Sequence, residues 1–407
     1  MTEPAFPFRL RLLQPLRHGP YALLWVGQTI SRLGDSTYAT VLTWTTYAIT
    51  HSSTATGLVL TAFSIPLLLM LLAGGIVGDR LSRRGLILVS DTISGVTIGI
   101  VAVLALAGHL SIAALVAMSI VFGTVSAFFG PAYQALIPDV VPEQGLQAAN
   151  ALQAVSISAS GIVGPALGAT LYAWGRAGAA FAFDALSFLA AAVASLLLRV
   201  PSHPTPTRGS IWQDVRAGWS YVRKTSWLLG GITIAAVANA AGNAPFFVLL
   251  PAVIRHLHLG VGTMGLTLGI TAVFSVVTNL LVGQIPSFPR RGMIMFVIWS
   301  FIGLSTALVG LASSYTLVAI AAALKGVTFA GDTIWNGLVQ ERVPREYRSR
   351  VTSLDMLGSF ALLPLGYAIS GVSASVIGTR PTLVAGGAVA FVLALTGLLI
   401  PSARRIT

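Results

Sequence analysis

The sequence predicts an all-α membrane protein of twelve transmembrane helices in two six-helix bundles, with both termini cytoplasmic. Three observations lead there. Only 9% of the 407 residues are charged and 55% are hydrophobic, whereas a soluble domain carries about a quarter charged residues. Apolar runs such as 58–77, 93–108 and 179–198 reach or approach the roughly 20 residues that cross a 30 Å hydrocarbon core as a helix. Basic residues gather in short clusters on alternate sides of those runs, as cytoplasmic flanks do. The short alternating segments of a transmembrane barrel are absent.

Taken in order, hydropathy with Gly, Pro and charge punctuation gives spans at 21–49, 56–78, 86–107, 110–134, 146–173 and 177–199. A polar interval follows, and then spans at 227–256, 262–285, 292–312, 315–340, 349–374 and 379–400. The chain therefore divides into an N-terminal bundle (1–199), a cytoplasmic linker (200–226) and a C-terminal bundle (227–407). Before the first span stand Arg9, Arg11 and Arg17. No small-residue cleavage site closes that span, which reads as a retained helix rather than a signal peptide.

Orientation follows from Lys and Arg. With both termini inside, the cytoplasmic side holds Arg9, Arg11, Arg17, Arg80, Arg83, Arg84, Arg199, Arg208, Arg216, Arg223, Lys224, Arg290, Arg291, Arg342, Arg345, Arg348, Arg350, Arg404 and Arg405, and the outer loops only Arg176, Arg255 and Arg380. That asymmetry fixes the topology and requires an even helix count. The same distribution explains the net charge of +12 without a nucleic-acid surface. No cysteine is present, which excludes disulfides, thiol chemistry and cysteine-ligated metals. The six histidines show no metal spacing, and no phosphate-cradling G-x-x-x-x-G-K-[ST] loop occurs. Neither a cofactor nor a metal is expected.

The linker opens with Pro201, Pro204 and Pro206. It continues with Ile211, Trp212, Val215, Trp219 and Val222 at helical spacing beside Arg216, Arg223 and Lys224. That pattern predicts an amphipathic helix on the inner leaflet. A weak repeat relates the halves. Residues 136–143 after the fourth span match 338–345 after the tenth, an offset of 202 that places Asp139 on Glu341 and Pro142 on Pro344.

Two strings carry mechanical content. GGIVGDRLSRRG, from Gly74 to Gly85, joins the second and third spans. A small residue such as Gly75 lets helices approach closely, Asp79 can meet the positive end of a helix, and Arg83 can reach a carboxylate. In the fifth span, Gly161, Gly164, Pro165 and Gly168 make a kinked surface of little bulk against which another helix can pack.

The first string resembles the major facilitator signature G-x-x-x-D-R-x-G-R-R. Gly75, Asp79, Arg80, Arg83 and Arg84 match, and Ser82 replaces a glycine. The resemblance implies Asp139 as the partner of Arg83, in a latch that holds the cytoplasmic face shut. The corresponding loop of the second half, 283–292, keeps its arginines and lacks the acid. The fifth-span string resembles the antiporter signature G-P-x-x-G-[GA] of exporters. Residues 30–35, 135–139 and 339–344 look like the branch of macrolide efflux proteins and enterobactin-type siderophore exporters. The fold implied is two parallel six-helix repeats with substrate near the midplane. One departure is that 112–130 carries no basic residue, where many drug:proton antiporters have an arginine.

Ionisable groups at membrane depth cost about 2.5–3.5 kcal/mol or more and are functional candidates by default. Arg32 and Asp35 lie three apart in the first span, and Lys325 and Asp332 seven apart in the tenth, so each set shares a helix face. In the family fold the first, fourth, seventh and tenth helices line the cavity. These four residues are therefore the proton-coupling candidates, with static ion pairing as the competing reading. Asn239 and Asn243 of the seventh span are cavity candidates. Asp184 and Asp91 read as packing or interface residues.

The function expected is a monomeric secondary exporter of small organic molecules in the cytoplasmic membrane of a bacterium. Its partners are the substrate, protons and lipid. An importer or facilitator on the same fold is the alternative. A non-transporting sensor or scaffold would need an appended soluble domain, and an enzyme would need a nucleophile–base set.

Overall fold

The computed structural model describes residues 12–80, 82–199, 211–285 and 289–404. The side chains of 72–80, 211–214 and 403–404 lie outside the described set. Among the described residues every regular element is a helix. Hydrocarbon offers backbone N–H and C=O groups no water, and a helix satisfies them within one segment.

Helices α1 (Gly19–Thr50), α2 (Ser53–Arg80), α3 (Arg83–Leu106) and α4 (Ile112–Val140) come first. The run Leu146–Leu197 then loses helical geometry at Gly175 and Arg176, the latter at φ 53°. A positive φ is uncommon outside glycine and marks a turn here, so the run has two arms, α5 (146–174) and α6 (177–197). Next come α7 (Ile211–Lys224), α8 (Ser226–Ala238) and α9 (Ala244–His256), the last two joined by a π-helical turn, Asn239–Asn243. Then come α10 (Val261–Gly283), α11 (Arg291–Leu311), α12 (Tyr315–Arg342), α13 (Arg345–Phe360), α14 (Leu363–Val376), α15 (Thr379–Thr396) and a last short helix, Pro401–Arg404.

Ten helical stretches among the described residues are long and apolar enough to cross a membrane. One of them, Glu143–Leu197, runs for 55 residues and contains the break at Gly175. The expected eleventh span, 349–374, is divided. α13 ends at Phe360 and α14 starts with a proline in its first turn, where the missing N–H has no helical partner to lose.

The chain forms two compact units, Met1–Leu42 with Ile65–Thr207 and Thr43–Ser64 with Arg208–Thr407. In the first, Tyr21, Leu24, Ile87, Tyr133, Leu136 and Leu152 form a core. In the second, Leu228, Phe296, Trp299, Trp335 and Leu338 do so. Residues 43–64 join the second unit through hydrogen bonds. The Thr54 hydroxyl donates to the Gly371 carbonyl at 3.0 Å, and the Thr61 hydroxyl to that of Pro364 at 3.1 Å.

The α7 helix seats one edge in protein rather than lipid. Val222 is fully buried in the second core, and Tyr221 stacks on Tyr347 of α13 at 4.9 Å. Trp219 remains exposed. Residues 200–210 of the expected linker, and the side chain of Trp212, lie outside the described residues.

Candidate functional site

Helix α1 places Arg32 and Asp35 in the first unit, and they do not pair. Among the described residues no ion pair joins them within 4.0 Å. The Arg32 guanidinium instead lies 5.3 Å from the centre of the Tyr133 ring of α4, a cation–π contact worth about 0.5–2 kcal/mol. Asp35 keeps a buried Oδ1 with no hydrogen-bond partner. A buried acceptor left unmatched is costly, and such exceptions concentrate where a group has another task. Asp35 lines a hollow of about 330 Å³ with Arg32, Ser36, Ile157, Ser160 and Gly161.

The glycines of the fifth-span string meet α1 beside this acid. A Cβ on Gly164 would stand 2.4 Å from Ser36 Cβ, and one on Gly168 would stand 2.9 Å from the Thr37 carbonyl oxygen. The Thr37 hydroxyl donates to the Gly164 carbonyl at 3.2 Å. Only glycine permits α5 to come this near α1, within a turn of Asp35. Pro165 is buried within the same helix.

The signature loop is split by what the structure describes. The backbone of Gly75, Asp79 and Arg80 belongs to α2, and their side chains lie outside the described residues. Arg83 donates to Asp139 Oδ2 at 2.8 Å and to the Ala135 carbonyl at 2.9 Å. Arg84 works elsewhere. It donates to the Ser195 and Leu196 carbonyls at 2.8 and 2.6 Å, satisfying the C-terminal end of α6. Ser82, where the signature has glycine, is the N-cap of α3, its hydroxyl accepting from the Gly85 N–H at 3.0 Å. The second unit has a counterpart. Arg291 donates to both oxygens of Glu341 at 2.8 Å. Glu341, at the end of α12, thus takes the place that Asp139 holds in the first unit, as the 202-residue repeat predicts.

In the second unit Lys325 and Asp332 also stand apart, with no ion pair between them among the described residues. Seven residues is about 10.5 Å along a helix axis, too far for the two side chains to close directly. The Lys325 ammonium donates to Asn243 Oδ1 and lies 4.9 Å from the centre of the Phe246 ring. Asn243 donates in turn to Asn239, and Asn239 donates to the Ser359 carbonyl at 2.9 Å. Both asparagines belong to the π-helical turn, a feature frequent at functional sites. Asp332 accepts from the Trp299 indole at 2.9 Å.

A further acid, Asp355 of α13, accepts from the Trp335 indole at 2.7 Å and from the Ser359 hydroxyl at 3.0 Å. Sequence reasoning passed over it, although an acid inside a span is the signal that singles out Asp35. Asp91 and Asp184, read as packing residues, are 1% and 0% exposed. Gln28 donates to Asp91 at 2.9 Å, and the Ser187 hydroxyl donates to Asp184 at 3.3 Å.

Comparison with known proteins agrees with this architecture. The chain is 23% identical to the multidrug efflux pump Tap of Mycolicibacterium fortuitum, over 96% of this chain and 98% of that protein. It is 20% identical to macrolide efflux protein A of Streptococcus pyogenes, over 94% and 96%. It is 26% identical to the enterobactin exporter EntS of Citrobacter koseri, over 86% and 84%. In fold it is similar to a crystal structure of the nucleoside transporter NupG, with a TM-score of 0.75 and 12% identity over 94% of this chain and all of that one. The model of the MFS_3 family, transmembrane secretion effector, matches residues 11–404. The chain belongs to that family.

Proposed function

We propose that this protein is a secondary active exporter of small organic molecules across the cytoplasmic membrane of a bacterium. The observation that carries the reading is the end-to-end match to a secretion-effector family whose relatives here are named as efflux proteins for several drugs, for macrolides and for enterobactin. The substrate is a drug, a siderophore or a metabolite of comparable size.

Twelve crossings fit the helices. The ten apolar stretches become twelve when Glu143–Leu197 is counted as two arms and α1, 32 residues long, is added. With the termini inside, the arginine-rich ends of α3 and α11 face the cytoplasm, as the basic bias requires.

Export is driven by exchange for protons, with Asp35 as the exchanging carboxylate. Its support is the unmatched Oδ1 at the hollow and the departure of Arg32 to Tyr133. An acid held in no direct ion pair can change its charge as water access changes. Alternating access then couples that change to transport. Arg83–Asp139 and Arg291–Glu341 act as the conformational latches.

The test is directional uptake into everted membrane vesicles, using a macrolide and enterobactin as probes. An exporter accumulates substrate in the lumen of everted vesicles. Accumulation only in right-side-out vesicles would support the importer on the same fold.

A further inference from the structure

A second cavity of the first unit shares Asp35 with the hollow. It measures about 40 Å³, and its lining includes Ser31 and Asp35 of α1, Ser90, Asp91 and Ser94 of α3 and Ser126 of α4. One water-sized body needs about 10–15 Å³, so the chamber takes one small ion with or without a water. Phe122, Val125, Phe129 and Phe188 wall the rest.

The donors are arranged by helical periodicity. Ser31 and Asp35 are four apart on α1, and Ser90 and Ser94 are four apart on α3, so each set points to one side. Ser31, Ser90 and Ser94 are 3%, 5% and 3% exposed. Among the described residues Asp35 Oδ1 is buried with no hydrogen-bond partner, and these three serines line the same void. Buried polar groups are nearly always paired. One unmatched carboxylate oxygen, with three serines around the same void, marks the place of a missing partner.

Charge gives that partner its sign. The charged groups inside this unit are Asp35 and Arg32 on α1, Asp91 on α3 and Asp184 on α6, with the phenols of Tyr38 on α1 and Tyr133 on α4 beside them, while α5 and the α4 segment before Asp139 carry no charged residue. Three acids thus face one guanidinium, and Arg32 is turned to Tyr133. An isolated buried carboxylate is expensive unless something neutralises it.

We propose that this chamber is a sodium-ion site, with Asp35 and Asp91 as charged ligands and Ser31, Ser90, Ser94 and Ser126 as neutral ones. Hard oxygen donors suit a hard cation. A divalent ion is poorly matched, since no group of three acidic or imidazole side chains among the described residues could hold a metal. A proton would use one carboxylate oxygen and none of the hydroxyls. Asp35 borders both the chamber and the hollow, so Na⁺ and protons compete at one residue. The inference rests on the exporter reading and deepens it by adding a second ion that competes with protons at Asp35, and its occupancy is measured without any transport.

The experiment is equilibrium binding of radioactive Na⁺ to the purified full chain in detergent at pH 8, with no organic substrate present. Wild type and Glu143→Gln, an acid in the loop before α5, should bind one saturable Na⁺ per chain, displaced as the pH is lowered. Asp91→Asn should bind at least about tenfold more weakly, and Ser94→Ala about three- to tenfold more weakly. Ser94→Ala keeps the charge and nearly the volume, so it decides the matter even where Asp91→Asn fails to fold. No saturable binding in wild type, or wild-type affinity in folded Ser94→Ala, overturns the sodium site. Neither result bears on vesicle export, which tests the exporter reading by itself.

Discussion

Asp35 and Arg32 show how neighbours in sequence separate in space. Three residues apart on α1, they could have cancelled each other, but the guanidinium takes the face of Tyr133 and the carboxylate keeps an unmatched oxygen. Asp35→Asn should therefore cut gradient-driven export at least about tenfold while substrate affinity changes by less than about twofold, as expected when coupling rather than binding is lost. Liposomes with an imposed pH gradient measure the first and equilibrium binding the second. Loss in Asp332→Asn with survival in Asp35→Asn would move the proton site to α12. Ser82 gives a stability prediction at the same scale. Loss of an N-cap hydroxyl costs about 1 kcal/mol to alanine and a few tenths to glycine. Thermal unfolding in detergent should rank Ser82→Gly near wild type and Ser82→Ala below both. These residues were only partly legible in the sequence. A charge in an apolar span is conspicuous, which singled out Asp35 and Lys325, but the choice of Tyr133 or Asn243 over the nearby opposite charge depends on neighbouring helices that periodicity does not name. Asp355, paired to Trp335 across 20 residues of chain, needed the packing of α12 on α13.

Among the elements, α1 and α5 approach closely beside the site. The spacing of Gly164 and Gly168 made a close helix contact legible, and the structure supplies the partner, Ser36 and Thr37. Gly168→Leu should reduce export at least tenfold with normal membrane insertion, since insertion follows apolarity rather than shape and overpacking costs about 1–3 kcal/mol. Wild-type export by that variant would remove any mechanism from the motif. The Arg83–Asp139 ion pair has 25% and 30% of its side-chain surface exposed, so it contributes no more than about 1 kcal/mol. Asp139→Asn should thus shift the balance of conformations by about fivefold or less. Cysteines placed singly in this cysteine-free chain report the shift by their reactivity from the cytoplasmic side, and unchanged reactivity would discard the latch. Helix positions were legible because a twenty-residue apolar run has one answer in a bilayer. The π-helical turn at Asn239 and the break after Phe360 were not, because each is set by what packs beside it.

At the scale of the whole molecule, the basic bias, the repeated Arg–acid pairs and the family match over 11–404 describe one kind of machine, a membrane exporter, and we propose that an ion gradient drives it. Composition made the membrane legible at once, and the 136–143 and 338–345 strings made the repeat legible. What the machine carries was not legible, because the lining of a cavity is assembled from many apolar side chains far apart in sequence. The most direct measurement is substrate flux into everted vesicles energised acid-inside, with a macrolide and enterobactin as probes. Accumulation in the lumen that collapses when the pH gradient is dissipated, and that is lost in Asp35→Asn, is the predicted result. Accumulation in right-side-out vesicles alone, or flux indifferent to every imposed ion gradient, would contradict it.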